Sequence, residues 1–108
     1  MISPSEMNIL LKRLDENTQK GTIEWFQVDS NSYRCSFPKS SVVTFINQGR
    51  GNYGLLVLNS SGEEVGRLVA DSSTTPTQDQ LLEQIFSSAE RQALSIDETL
   101  EDILSNLD

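Results

Sequence analysis

The chain contains no histidine and a single cysteine, Cys35. These two scarcities remove much of the usual catalytic equipment. Without imidazole, the ordinary general base for a serine or cysteine nucleophile is missing. A transition-metal site likewise lacks its common ligands. One cysteine cannot form an internal disulfide; set in a strand pattern, Cys35 reads as a small buried hydrophobe. Long apolar runs are missing as well. The longest is Leu55–Leu58, far short of the ~20 residues a membrane-spanning helix needs. The opening MISPSEMN has neither the basic nor the apolar region of a signal peptide, so a cytoplasmic location is the expectation.

Positive charge is scarce where it would matter for nucleic acid. The net charge is −8, and residues 1–70 balance seven acids with seven bases, so the whole excess lies in residues 71–108. Arg91 is the sole base in that stretch. No basic face is present to displace counterions from phosphate, which argues against nucleic-acid binding. An acidic helical surface suits solubility and permits a basic protein partner.

Leu, Ile, Val and Phe occupy 30 of the 108 positions, well above the level that marks disorder. The length fits one domain, residues 1–108, with one modest core. Ser3-Pro4-Ser5-Glu6 combines a capping serine, a proline at the first helical position and a glutamate three residues on. Met7, Leu10, Leu11 and Leu14 then follow at helical spacing. A helix from about Pro4 to Gln19 is predicted, with Gly21 as its stop.

Between Thr22 and Val69 the period shortens to two and turn residues recur. TIEWFQV, YRCSF, SVVTFIN, YGLLVLN and EEVGRLV read as five strands, the last an edge. Connections this short imply an antiparallel meander. Trp25 and Phe26 are neighbours and must point opposite ways, so one of them faces solvent, a helix or an interface. After the polar ADSSTTPT, Thr77 with Gln80 predicts a helix through Ala93. Ser95 with Glu98, or Asp97 alone, predicts a second after a bend near Ser95, with one uninterrupted helix as the alternative. The expected fold is α+β: an N-terminal helix, about five antiparallel strands, and two C-terminal helices packed on one face.

Gly49-Arg50-Gly51-Asn52-Tyr53-Gly54 matches the G-x-G-x-x-G spacing of dinucleotide-binding loops. That loop works by opening a helix whose N-terminal amides hold the phosphates. Here the motif runs into Leu55-Leu56-Val57-Leu58-Asn59, a strand pattern, so its glycines read as a hairpin. Asp97, Glu98, Glu101 and Asp102 lack the spacing and central glycine of an EF-hand. Carboxylate pairs among Glu24, Asp29, Glu63 and Glu64, and a serine beside Lys39, form no recognisable catalytic pattern. No catalytic, metal-binding or cofactor-binding residue is assigned.

What the pattern does supply is an amphipathic end. Ile96, Leu100, Ile103, Leu104 and Leu107 repeat at i, i+4, i+7, i+8 and i+11. A helix this short is marginal alone, so the stripe needs a surface: its own sheet, a symmetry mate or another protein. Strand edges offer a second route to pairing. The leading expectation is a non-enzymatic protein that acts through protein contacts, with a homodimer or protein partner, and no nucleic acid or membrane. Two alternatives stay open. One is a small-ligand binder or enzyme with a pocket near Trp25, Tyr33, Tyr53 and Arg91. The other is an acidic chaperone-like or inhibitor protein for a basic client.

Three stretches, GTIEWFQVDSNSYRCSF, YGLLVLNSSGEEVGRL and LLEQIFSSAERQALSIDETLEDILSNL, resemble a scattered group of small bacterial proteins of uncharacterised function. The matching outline is Gly21-Ile23-Trp25, Tyr53-Leu55-Val57-Gly62 and Ala89-Arg91-Ala93-Leu94. The resemblance implies no activity. It implies that Trp25 and Tyr53 are structural aromatics of the sheet and that Arg91 sits at a helix–helix junction.

Overall fold

A computed structural model of the chain describes residues 1–47 and 49–107. Helix α1 (Pro4–Lys20) leads into strands β1 (Phe26–Asp29), β2 (Ser32–Phe37), β3 (Ser40–Asn47), β4 (Asn52–Leu58) and β5 (Glu64–Val69). Helices α2 (Pro76–Ala93) and α3 (Ile96–Asn106) complete the chain. The strands form one antiparallel sheet in the order β1-β2-β3-β4-β5. This is the α+β meander the period-two pattern predicts.

The first capping box forms as read. The Glu6 amide donates to Ser3 Oγ at 3.2 Å, and the Ser3 amide donates to Glu6 Oε1 at 2.9 Å. Gly21 closes the helix at φ 73°, a left-handed position that glycine adopts without steric cost. The second box lies two residues earlier than Thr77 and Gln80. Thr75 caps α2, its Oγ1 accepting from the Gln78 amide at 3.1 Å, with Pro76 at the first helical position. Thr75-Pro76-Thr77-Gln78 repeats the arrangement of Ser3-Pro4-Ser5-Glu6; a proline ring pre-set at φ near −65° favours the frame that holds it. The third box does not form. Ser95 is left-handed at φ 50° and ψ 42°, and its side chain caps nothing. That conformation ends α2 and makes α3 a separate helix.

The strand predicted from Thr22 begins only at Phe26. Trp25 instead stands in the connection before it, tied down by side chains. Its indole N–H donates to Thr18 Oγ1 at 3.0 Å, and that hydroxyl donates to the Leu14 carbonyl at 2.6 Å. The Gln92 amide clamps both sides of the segment: its Oε1 accepts from the Trp25 amide at 2.8 Å and its Nε2 donates to the Ile23 carbonyl at 3.0 Å. These bonds turn residues that suit a strand into an ordered link between α1, α2 and the sheet. The adjacent aromatics are resolved accordingly: Trp25 is buried and Phe26 is 61% exposed.

One sheet face carries the core. Tyr33 and Cys35 of β2, Val42 of β3, and Leu55 and Val57 of β4 are buried there. Met7, Leu11 and Leu14 of α1 and Leu82, Ile85, Phe86 and Ala89 of α2 complete it. Tyr33 and Tyr53 both pack on Phe86, with ring centroids 5.4 and 5.3 Å apart. Thr44 lies fully buried on this face, and its Oγ1 has no hydrogen-bond partner among the described residues. Gly66 belongs to the same layer: a Cβ there would meet Ile2 Cδ1 at 2.9 Å. No residue of α3 is buried.

Candidate functional site

α3 is the element that leaves the most apolar surface uncovered. Its neighbour in the fold is α2, and the left-handed Ser95 redirects the chain between them. Arg91 spans the junction, donating from Nη2 and Nε to Asp97 Oδ1 at 2.5 and 3.2 Å. Both partners of this ion pair are exposed, so it orients more than it stabilises. The resemblance-based placement of Arg91 at a helix junction agrees with this geometry. Of the stripe, Ile96 is half-buried, while Leu100, Ile103, Leu104 and Leu107 are 47, 49, 60 and 73% exposed. Asp97, Glu98, Glu101 and Asp102 occupy the rest of the helix, which carries no base in its last turn. The molecule is correspondingly long, 52 × 33 × 25 Å. Its radius of gyration, 14.8 Å, exceeds the ~13 Å typical of a compact chain this size.

The second uncovered surface is the far face of the sheet. Register places Phe26, Arg34, Val43, Leu56 and Arg67 in one row across all five strands. A neighbouring row runs Ser32, Phe45, Gly54 and Val69. Val43, Phe45, Leu56, Leu58 and Val69 are each half-buried, and none belongs to the core cluster or to the hydrophobic residues packed against it. Phe45 covers Gly54: a Cβ on that glycine would lie 2.3 Å from Cζ of the ring. Arg34 donates to Ser41 Oγ at 3.0 Å and makes no ion pair among the described residues. Arg67 holds Glu64 at 2.8 Å. The sequence pattern missed this face because Arg34, Ser36 and Arg67 interrupt it; only the cross-strand register assembles it.

Of the four residues read as a pocket, Tyr33 and Tyr53 meet at Phe86, while Trp25, Tyr53 and Arg91 border separate cavities. Trp25 and Tyr33 are core side chains. Tyr53 borders a cavity of about 310 Å³ with Asp71, Asp79 and Glu83. Arg91 borders a polar groove of about 460 Å³ between the C-terminal turns of α1 and α2. Burial, together with the nearby Glu90 carboxylate, raises the Tyr33 phenol above its usual range. Burial likewise raises the Cys35 thiol, which suppresses the reactive thiolate. Among the described residues, no group of three or more His, Cys, Asp or Glu side chains is placed to hold a metal ion.

The glycine loop is a hairpin. The Gly51 and Arg50 amides donate to the Asn47 carbonyl at 2.6 and 3.2 Å, and the Gly49 amide donates to Asn47 Oδ1 at 3.1 Å. Gly51 takes φ 70° at the tip. Gln48, which the sequence places in this loop, lies outside the described residues. The backbone continues from Gly54 as strand β4, so the loop does not open a helix as the dinucleotide motif requires. Among the described residues, no helix is long and apolar enough to cross a membrane.

Compared with family models, curated proteins and solved structures, the chain finds no match in any of the three.

Proposed function

We propose that this chain is a non-enzymatic protein-interaction module and that α3 is its docking element. The observation that carries the reading is the stripe of Leu100, Ile103, Leu104 and Leu107, all near half-exposed or more, on a helix with no fully buried residue. Isolated surface leucines are ordinary; four on one helical face are a contact surface in search of a groove or sheet. Covering what remains exposed is worth about 3–7 kcal/mol, at ~1.5–3 kcal/mol per fully buried side chain. Association itself costs ~4–15 kcal/mol. One α3 contact is therefore weak alone, and a lasting complex needs further surface.

The test places a photo-crosslinking phenylalanine analogue at position 104 in the full chain and irradiates the cells that produce it. A discrete adduct is expected, absent when the analogue stands at position 61 in the β4–β5 turn. If position 104 yields no adduct, or the same diffuse products as position 61, α3 is not a docking element.

A further inference from the structure

We infer that α3 of one molecule packs on the open sheet face of a second copy of the same chain. The inference rests on the reading of α3 as a docking element and supplies its acceptor. Two uncovered apolar surfaces exist on one molecule, and their charges differ in sign. α3 bears Asp97, Glu98, Glu101 and Asp102. The sheet face carries Arg34 and Arg67 at either side of Val43 and Leu56, with Glu64, opposite Leu58, paired to Arg67, so its unpaired charge among the described residues is Arg34. Pairing α3 with α3 would bring two sets of four carboxylates together. Pairing sheet with sheet would oppose arginine to arginine. Only the crossed arrangement joins opposite signs, and like-charge juxtaposition is the element that rejects wrong partners.

Dimensions agree. The strands of Arg34 and Arg67 are three spacings apart, ~14 Å, while a helix with its side chains is ~10–12 Å across. An α3 lying along β3 and β4 thus covers the apolar centre and leaves one arginine on each flank. At 100° per residue, Glu101 falls on one flank of the leucine stripe, about 110° from its centre, while Asp102 lies about 150° away on the back of the helix, so Glu101 is the carboxylate that can meet a flanking arginine. Arg34 has no competing carboxylate among the described residues, and the Arg67–Glu64 pair is exposed and exchangeable. Reciprocity also supplies the missing surface. In a twofold pair each helix docks on the other molecule's sheet, so the contact occurs twice.

The experiment is sedimentation equilibrium on the full chain from about 5 µM to about 500 µM, bracketing the micromolar range set by an interface of modest size. A monomer–dimer equilibrium is expected. Leu104→Asp and Leu56→Asp should each abolish the dimer, with circular dichroism confirming the fold. Charge reversal guards against a misfolded Leu56→Asp. Arg34→Glu with Arg67→Glu should weaken association about tenfold, as should Glu101→Lys with Asp102→Lys, and all four together should restore it. A monomer at every concentration overturns the inference, and so does a combined variant that stays weak. A Glu101→Lys, Asp102→Lys variant that dimerises more tightly than wild type would instead establish α3–α3 pairing. If Leu104→Asp dissociates the dimer while Leu56→Asp and the arginine reversals do not, α3 still docks but on another surface. A discrete adduct from position 104 with a monomeric chain leaves the docking reading standing and removes this one.

Discussion

Gly54→Ala separates a steric role for the last glycine of G-x-G-x-x-G from a phosphate-binding one. Gly54 lies within β4 and is not among the positive-φ glycines, so no left-handed backbone requires it. Its requirement is the Phe45 ring, whose Cζ would stand 2.3 Å from a new Cβ and whose Cε atoms would stand 2.8 Å away. Phe45 is half-buried, so the ring has solvent to move into. Swinging it off the sheet forfeits about 1 kcal/mol of a phenylalanine's ~1.5–3 kcal/mol of burial. An off-rotamer pose adds ~0.5–1.5 kcal/mol. Against this, alanine in a strand gains ~0.5–1 kcal/mol over glycine. The net loss is about 1 kcal/mol, a drop of roughly 0.5–1 M in the urea midpoint, read from Trp25 fluorescence. In a Phe45→Ala background the same change becomes a gain of ~0.5–1 kcal/mol, because only the alanine term survives. The double-mutant cycle should therefore give a coupling of about 1.5–2 kcal/mol. Equal costs of Gly54→Ala with and without the ring would refute the steric account.

Three further outcomes follow from individual side chains. Thr44→Val should raise stability by about 1 kcal/mol in urea denaturation, because it removes a buried hydroxyl that has no partner among the described residues. Gln92→Ala should cost about 1–2 kcal/mol and shift native Trp25 emission to the red, since it strips the Trp25 amide and the Ile23 carbonyl of their partner. The Ser3 backbone and side-chain hydrogen bonds hold the Glu6 carboxyl below its ordinary value. A depressed carboxyl pKa contributes stability above its unfolded value of about 4.3 and loses it as pH falls through the folded value. Thermal midpoints from pH 7 downward should accordingly fall less steeply in Glu6→Gln than in wild type, and parallel curves would contradict this.

Where the sequence was legible, a local rule and the tertiary structure agreed. The capping box at Ser3, the alternation of Tyr33 and Cys35, and the turn at Asn59–Gly62 are each determined within a few residues. Asn59 shows why: its Oδ1 accepts from the Ser61 and Glu63 amides, both at 3.0 Å, and Gly62 takes φ 80°. The strand assigned from Thr22 erred because its fate depends on Gln92, nearly seventy positions away. The α2 cap was misplaced because two Thr-x-x-Gln frames overlap and only one has proline at the first helical position. The α3 stripe was legible as a pattern, but its exposure was not. The open sheet face was invisible for a different reason: its apolar members come from four strands and meet only through register.

The way the fold treats its edges bears on how it associates. Strand pairing between molecules needs a long, regular, unprotected edge. β1 is four residues long and its register slips between Gln27 and Asp29. β5 is bulged beside Leu58, and the Ile2 amide donates to its Val65 carbonyl at 2.7 Å. Both edges are thus blunted by devices that discourage sheet extension. The faces are less protected: Arg34 and Arg67 flank the apolar centre of the sheet, yet Val43, Leu56 and Phe45 there, and Leu104 of α3 with Leu107 at its end, stay partly or largely exposed. Selection against aggregation would be expected to treat both kinds of surface alike. Blunted edges beside open faces are what a chain needs if it must avoid indefinite strand addition while keeping a contact of fixed geometry. On that logic, restoring a regular β1 edge should promote higher oligomers, whereas Leu104→Asp should reduce association without provoking them. Light scattering across a concentration series distinguishes the two, and aggregation of Leu104→Asp would show that α3 is a protective cover instead of a docking element.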